Sequence, residues 1–234
     1  MNTEQRNISV PRMFDSISSR YDRINRVLSF GIDRYWRKAV CHHLPRKQRI
    51  KLLDCATGTG DQLVTLLKNN PQIYDAVGID PAEEMLALAA PKITPYRHKA
   101  KLMTGVAEML PFSDGMFDVV TISFGIRNVA DLDLSLKEIH RVLAPRGKVL
   151  ILEFSHPLHS PIRMVHRFYL TQVVPLIGRW LSHHTEAYSY LSETIESFPQ
   201  GSALCEILRQ AQFKKVEAKP MTLGTVTLYI GEKS

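Results

Sequence analysis

KLLDCATGTGD, Lys51 to Asp61, holds the strongest local pattern in the chain. Leu52 and Leu53 end a short apolar run, Gly58-Thr59-Gly60 supplies a tight turn, and QLVTLLK follows at once with helical spacing. The order predicts strand, glycine turn, helix. A second apolar run closes with VGID, Val77 to Asp80, and the Asp80 carboxylate can accept hydrogen bonds from both hydroxyls of a ribose lying over the turn. The pair predicts a nucleoside cofactor, with a plain structural turn as the alternative.

The glycine spacing bears on which cofactor. A dinucleotide site places a third glycine three residues after the second, so that helix and strand pack closely beside a pyrophosphate. Here Leu63 holds that position, and Asp61 puts a negative charge at the helix start, where a phosphate would sit. Both features disfavour NAD or FAD. A cationic sulfonium meets neither objection, so the turn reads as a site for S-adenosylmethionine.

Composition sets the frame. With 234 residues, 44% of them hydrophobic, the chain suits one α/β domain with additions. Cys41, Cys55 and Cys205 are widely spaced and form no CxxC pair, which predicts reduced cytosolic thiols rather than disulfides or zinc ligands. His42-His43, His183-His184 and the pair His156 and His159 could coordinate metal in principle, but no HExxH pattern exists, and no metal is expected. FYLTQVVPLIG is broken by Thr171, Gln172 and Pro175, far short of the roughly 18 apolar residues of a membrane span. The net charge of +7 is uneven: residues 1 to 51 carry twelve Lys and Arg against four Asp and Glu. That basic N-terminal region could face an anionic membrane or nucleic acid, or be a solvated face.

Along the chain, residues 1 to 11 read as a polar tail, and Phe14, Ile17, Tyr21, Ile24 and Leu28 form one apolar helix stripe that ends at Gly31. A second helix, DRYWRKAVCHHL, runs from Asp33 until Pro45. Residues 1–47 are expected to form a helical cap on a cofactor-binding core, 48–155. In that core, strands at Ile50 to Asp54, Ile73 to Asp80, Ala100 to Gly105, Phe117 to Ser123 and Lys148 to Phe154 alternate with helices at Gln62 to Lys68, Glu83 to Lys92 and Ser135 to Leu143. Such alternation predicts a parallel sheet covered on both faces. Residues 156–200 form an aromatic, largely helical insertion with Phe168, Tyr169, Trp180, Tyr188 and Tyr190, a natural substrate cover or simply extra packing. Residues 201–234 supply a last helix from Ala203 to Gln210 and an antiparallel strand pair, near Lys214 to Ala218 and at Thr225 to Ile230.

From Phe14 to Lys233 the chain resembles the class I S-adenosylmethionine methyltransferases that C-methylate ubiquinone and menaquinone precursors, the UbiE/MenG type. YDRINRVLSFGIDRYW at Tyr21 to Trp36, LLDCATGTGD at Leu52 to Asp61, AEMLPFSDGMFDVVTISFGIRNV at Ala107 to Val129 and RVLAPRGKVLILEFSHP at Arg141 to Pro157 carry the resemblance, together with YSYLSETIESFP. FGIRN and LEFSHP are its specific features, since the glycine turn and the acidic residue belong to methyltransferases generally. The resemblance implies a Rossmann-like, seven-stranded sheet with the last strand antiparallel. It also implies S-adenosylmethionine as cofactor, with Gly58, Thr59 and Gly60 at its methionine and ribose end, Asp80 at the ribose hydroxyls, Val106 and Ala107 beside the adenine, and Ser123 at the end of the fourth strand. Asp54, at the end of the first strand, joins that set. Thr57 and Asp33 depart from the pattern, which has glycine and histidine there.

The chemistry so implied is methylation of a ring carbon, which becomes nucleophilic when a hydroquinone hydroxyl loses its proton. Arg127 and Asn128, just past the fourth strand, are candidates to stabilise the phenolate or orient a water; a salt bridge tying down the cap is the other reading of Arg127. Tyr21 is a candidate quinol contact or a packed residue, and Asp33 a candidate proton acceptor. The expected substrate is a lipophilic polyprenyl quinol, demethylmenaquinol first and a polyprenyl-methoxybenzoquinol second. The enzyme is then cytoplasmic and peripheral at an anionic membrane surface, with a homodimer as a candidate assembly. Nucleic-acid methylation is the rival enzyme reading, but FGIRN stands where base N-methylating enzymes carry an NPPY-type motif, so no nucleic-acid partner is expected. A non-catalytic module that binds the cofactor is the rival of another class.

Overall fold

Seven strands form one mixed sheet in the computed structural model, which describes residues 26–27, 29–157, 160–173 and 193–234. Parallel strands β1 (Ile50–Cys55), β2 (Ile73–Asp80), β3 (Ala100–Thr104), β4 (Phe117–Ser123) and β5 (Leu143–Phe154) are joined by antiparallel β7 (Val226–Glu232), which pairs on its other side with β6 (Lys214–Met221). The order is β3-β2-β1-β4-β5-β7-β6. The expected class, with its antiparallel last strand, is what forms.

Helices α1 (Asp33–Cys41), α2 (Asp61–Asn69), α3 (Glu83–Ile93), α4 (Leu132–Val142), α5 (Ser160–Phe168) and α6 (Ser202–Gln210) connect and cover the strands. Successive strand residues point to opposite faces, so Leu52 and Leu53 enter different cores. Leu53, Val120, Ile151 and Tyr229 pack with Leu136 and Ile139 of α4 and Leu204 and Leu208 of α6. Leu52, Val119, Leu150 and Leu228 pack with Trp36 and Val40 of α1 and Leu63 and Leu66 of α2. Burial of each such leucine contributes about 1.5–3 kcal/mol.

β2 and β4 have the limits expected from sequence; of the boundaries that moved, three have an identifiable cause. β5 begins at Leu143 rather than Lys148, because Leu143 already pairs with Phe117, and the ladder resumes at Val119 and Lys148 after a register shift. The Pro-Arg-Gly sequence therefore lies within the strand, at this irregularity, with Arg146 at φ 60°. α4 starts at Leu132 because Asp131 caps it, its side chain accepting from the Leu134 N–H at 2.9 Å. α1 stops at Cys41, before Pro45, since a proline disfavours helix in the residue ahead of it.

α1 is built into the second core rather than laid on it. The Trp36 indole N–H donates to Thr222 Oγ1 at 2.7 Å, and its ring meets those of Phe124 and Phe154 with centroids 6.1 and 6.4 Å apart. Those contacts fix α1 over the carboxyl ends of β4 and β5, where an open α/β sheet binds its ligands. The first helical stripe, Phe14, Ile17, Tyr21, Ile24 and Leu28, lies outside the described residues, as do His159, Trp180, His183, His184, Tyr188 and Tyr190.

Candidate active site

Two carboxylates hold the glycine turn. Asp54, 1% exposed at the end of β1, accepts hydrogen bonds from the hydroxyls of Thr57, at 2.7 Å, and Thr121 on β4. Asp80, at the end of β2, accepts from the Gly58 N–H at 2.8 Å and the Ala82 N–H at 2.9 Å. Burial pushes the Asp54 carboxyl up to about 6, against the pull of Thr121, Thr57 and the Arg37 guanidinium. Gly60 has φ 80°, and a Cβ built there would lie 3.1 Å from Ala89 of α3, so glycine is required.

The space above the turn is open: a Cβ built on Gly58 meets nothing within 4 Å. Thr57 keeps its hydroxyl on Asp54, while its methyl lies against Gly78, where an added Cβ would come within 3.0 Å of it. The Gly105 N–H donates to Asp80 O at 3.2 Å, which sets Val106 and buried Ala107 beside the end of β2. Thr59 is buried. Asp61 is paired with Lys92 at 2.7 Å and Arg26 at 3.5 Å, so a carboxylate already occupies the first turn of α2.

FGIRN meets this turn from β4. Gly125 abuts Ala56 so closely that a Cβ there would overlap the alanine methyl. Arg127, buried, donates through Nη1 to Phe124 O at 2.6 Å and to Glu153 Oε1 at 2.7 Å, with its guanidinium carbon 5.4 Å from the Phe154 ring centroid. Burial raises the Glu153 carboxyl, and the Arg127 charge opposes that rise. Ser123 Oγ, Arg127 Nε and Asn128 Oδ1 are buried without hydrogen-bond partners among the described residues. An unmet buried polar atom costs about 1–3 kcal/mol, so these three, on residues 123–128, are candidates to receive a polar ligand.

Asp33 is buried, not exposed. Its carboxylate accepts from Ser29 Oγ at 3.1 Å and lies 3.4 Å from Arg26 and 4.0 Å from Arg37. Glu153, the partner of Arg127, was not singled out from the sequence, although LEFSHP contains it. His156 and His166 also escaped notice as a pair: their ring centroids are 5.9 Å apart, and burial lowers both, His166 to about 4. Among the described residues no three His, Cys, Asp or Glu side chains gather to hold a metal ion.

These residues fit S-adenosylmethionine. Asp80 has the acceptor oxygens for ribose, Gly58 leaves the room, and no phosphate-binding vacancy exists at α2, whose first turn Asp61 fills.

The raised Asp54 carboxyl makes a pH prediction. Between pH 4 and 6 Asp54 holds its proton more often in the folded chain than in the unfolded one, so its contribution to stability falls as pH rises through that window. Relative to the parent, Asp54→Asn lacks this loss, and urea unfolding should show the difference move in the variant's favour by on the order of 3 kcal/mol from pH 4 to 7. A pH-independent difference would contradict a buried, ionising Asp54.

The chain matches the ubiE/COQ5 methyltransferase family over residues 1–233. It is 39% identical over 226 residues to the ubiquinone/menaquinone biosynthesis C-methyltransferase UbiE of Geotalea uraniireducens, covering 96% of each chain. It is 40% identical over 221 residues to the demethylmenaquinone methyltransferase of Thermus thermophilus, covering 94% of this chain and 100% of that one. Among solved structures, a SAM-dependent methyltransferase of Thermotoga maritima, described as a possible histamine N-methyltransferase, superposes with a TM-score of 0.66 at 18% identity, covering 95% and 99% of the two chains. That likeness is one of fold. The sequence match over nearly the whole chain is one of family: this protein belongs to the ubiE/COQ5 methyltransferases.

Proposed function

We propose that the chain is an S-adenosylmethionine-dependent C-methyltransferase that methylates the ring of a reduced polyprenyl quinone, converting demethylmenaquinol to menaquinol. Quinone biosynthesis is the activity named for its relatives in Geotalea and Thermus. The observation that carries the reading is the cluster of unmet polar atoms on Ser123, Arg127 and Asn128, pressed against the glycine turn by the Gly125–Ala56 contact.

When bound, S-adenosylmethionine supplies an electrophilic methyl group on a cationic sulfur. The chain's task is to make the ring carbon nucleophilic and to hold it in line. Asn128 Oδ1 accepts a hydrogen bond from one quinol hydroxyl. Arg127 stabilises negative charge on the oxygen as its proton leaves, and Glu153 keeps the guanidinium from turning away. Phe124 and Phe154, with ring centroids 4.6 Å apart, wall the site with apolar surface that excludes water from the sulfonium.

The same reading places the enzyme at a membrane, because its substrate's tail dissolves there. No helix among the described residues is long and apolar enough to cross one. α5 nevertheless exposes an apolar stripe, Met164 at 71%, Val165 at 66% and Phe168 at 63%, with exposed Arg163 and Arg167 on the same helix. Phe30, 79% exposed, joins it through a ring contact with Tyr169 at 6.2 Å. Apolar residues edged by arginines support peripheral contact with an anionic bilayer from the cytoplasmic side.

Two measurements test these proposals. Arg127→Ala strands Glu153, so the decisive variant is Arg127→Met with Glu153→Gln, which leaves no buried charge unpaired; its kcat should fall about 10²-fold with melting temperature retained. A loss below about tenfold would remove Arg127 from the chemistry. Met164→Ser with Phe168→Ser should weaken co-sedimentation with anionic vesicles, and salt should weaken that of the parent. Binding indifferent to the substitutions, to salt and to anionic lipid would overturn the membrane proposal.

A further inference from the structure

Two buried polar atoms beside the glycine turn have no role in the site as described so far. Gln62, in the first turn of α2 and 2% exposed, donates through Nε2 to Arg37 O at 3.3 Å, yet its Oε1 is buried without a hydrogen-bond partner. Arg37 of α1 mirrors it. Its side chain is 13% exposed, its Nε is buried without a hydrogen bond and has only the 4.0 Å ion-pair contact with Asp33, and its guanidinium carbon stands 5.3 Å from the Phe124 ring centroid. Its charge also reaches Asp54 beneath the turn. Arg37 thus stands between Asp54, near the end of β1, and Phe124, the residue after β4.

The two orphans are opposite in kind, one a neutral acceptor and the other a cationic donor. Two apolar residues would fill this space without leaving either atom unmet, and water alone would not call for a guanidinium. A free α-amino-acid group calls for both: its carboxylate needs a charged donor and its ammonium an acceptor. Asp61, the nearby carboxylate that could compete for that ammonium, is already paired with Lys92 and Arg26. Asp33, four residues before Arg37 on the same face of α1, stands 4.0 Å from Arg37 Nε and orients the guanidinium.

We propose that Arg37 and Gln62 receive the amino-acid end of S-adenosylmethionine, Arg37 pairing with its carboxylate and Gln62 Oε1 accepting from its ammonium. The inference rests on the reading of the glycine turn as the site of this cofactor. It explains why α1 is built into the core: the helix that closes the site also carries a cofactor contact. It also gives Asp33 a positioning role in place of proton transfer.

Calorimetric titration with three adenosine ligands tests the assignment without turnover. S-adenosylhomocysteine has both charged groups, decarboxylated S-adenosylmethionine keeps only the amine, and 5′-methylthioadenosine has neither. Arg37→Leu should weaken S-adenosylhomocysteine about 10–100-fold, the range for a hydrogen bond to a charged group, and leave the other two ligands within about threefold. Gln62→Leu should weaken both amine-bearing ligands about tenfold and leave methylthioadenosine unchanged. Retained methylthioadenosine binding certifies that each variant is folded, and Gln62→Leu carries the test if Arg37→Leu does not fold. Equal weakening of all three ligands, or of none, overturns the assignment. A parent chain that binds none of them overturns the glycine-turn reading itself.

Discussion

The whole arrangement depends on two carboxylates that hold a backbone turn from beneath. Asp54 gathers the hydroxyls of Thr57 and Thr121, so the turn, β1 and β4 share one acceptor. Asp80 takes the Gly58 N–H and thereby locks the end of β2 to the same turn. Burying a carboxylate is costly unless it accepts hydrogen bonds, and here each oxygen of both accepts at least one. The turn is thus shaped before any ligand arrives, with carboxylates beneath it. A cationic sulfonium suits such a site and a pyrophosphate does not.

Packing enforces the same choice. In dinucleotide-binding folds a glycine on the helix allows close approach to the strand. Here the helix carries Leu63, and the glycine is Gly78 on β2, where an added Cβ would lie 2.9 Å from Leu63 Cδ2. Helix and sheet still meet closely, but the small residue has moved to the other partner. The first turn of α2 is then free to carry Asp61 and Gln62, side chains that a phosphate site could not tolerate or would not need.

The parts of this legible in the sequence are those with local causes. Alternating apolar runs and helical stripes marked the parallel strands, and Gly58, Gly60 and Asp80 stood out because their conformational or chemical demands fall within a short window. Features that depend on contacts distant in sequence were hidden. The early start of β5 needs Phe117, the seating of Trp36 needs Thr222, and the pairing of Arg127 needs Glu153. Asp33 could be recognised as a charged residue at an unusual position, but only its burial between Arg26 and Arg37 shows that its carboxylate is already engaged. Arg37 and Gln62 carried no signal beyond their polarity, because an unmet hydrogen bond is a property of the folded surroundings.

The proposed function rests on what stands around the turn: the Asp80 carboxylate, an arginine braced by a buried glutamate, and the paired rings of Phe124 and Phe154. In that proposal the site activates a ring oxygen and leaves the methyl donor intact until the ring is in place. The direct measurement is transfer of a labelled methyl group from S-adenosylmethionine to demethylmenaquinone, with the ring held either reduced or oxidised. The account predicts label on a ring carbon only with the reduced quinol. Equal labelling of the oxidised quinone, label on oxygen or nitrogen, or transfer to RNA in preference to quinol would contradict it.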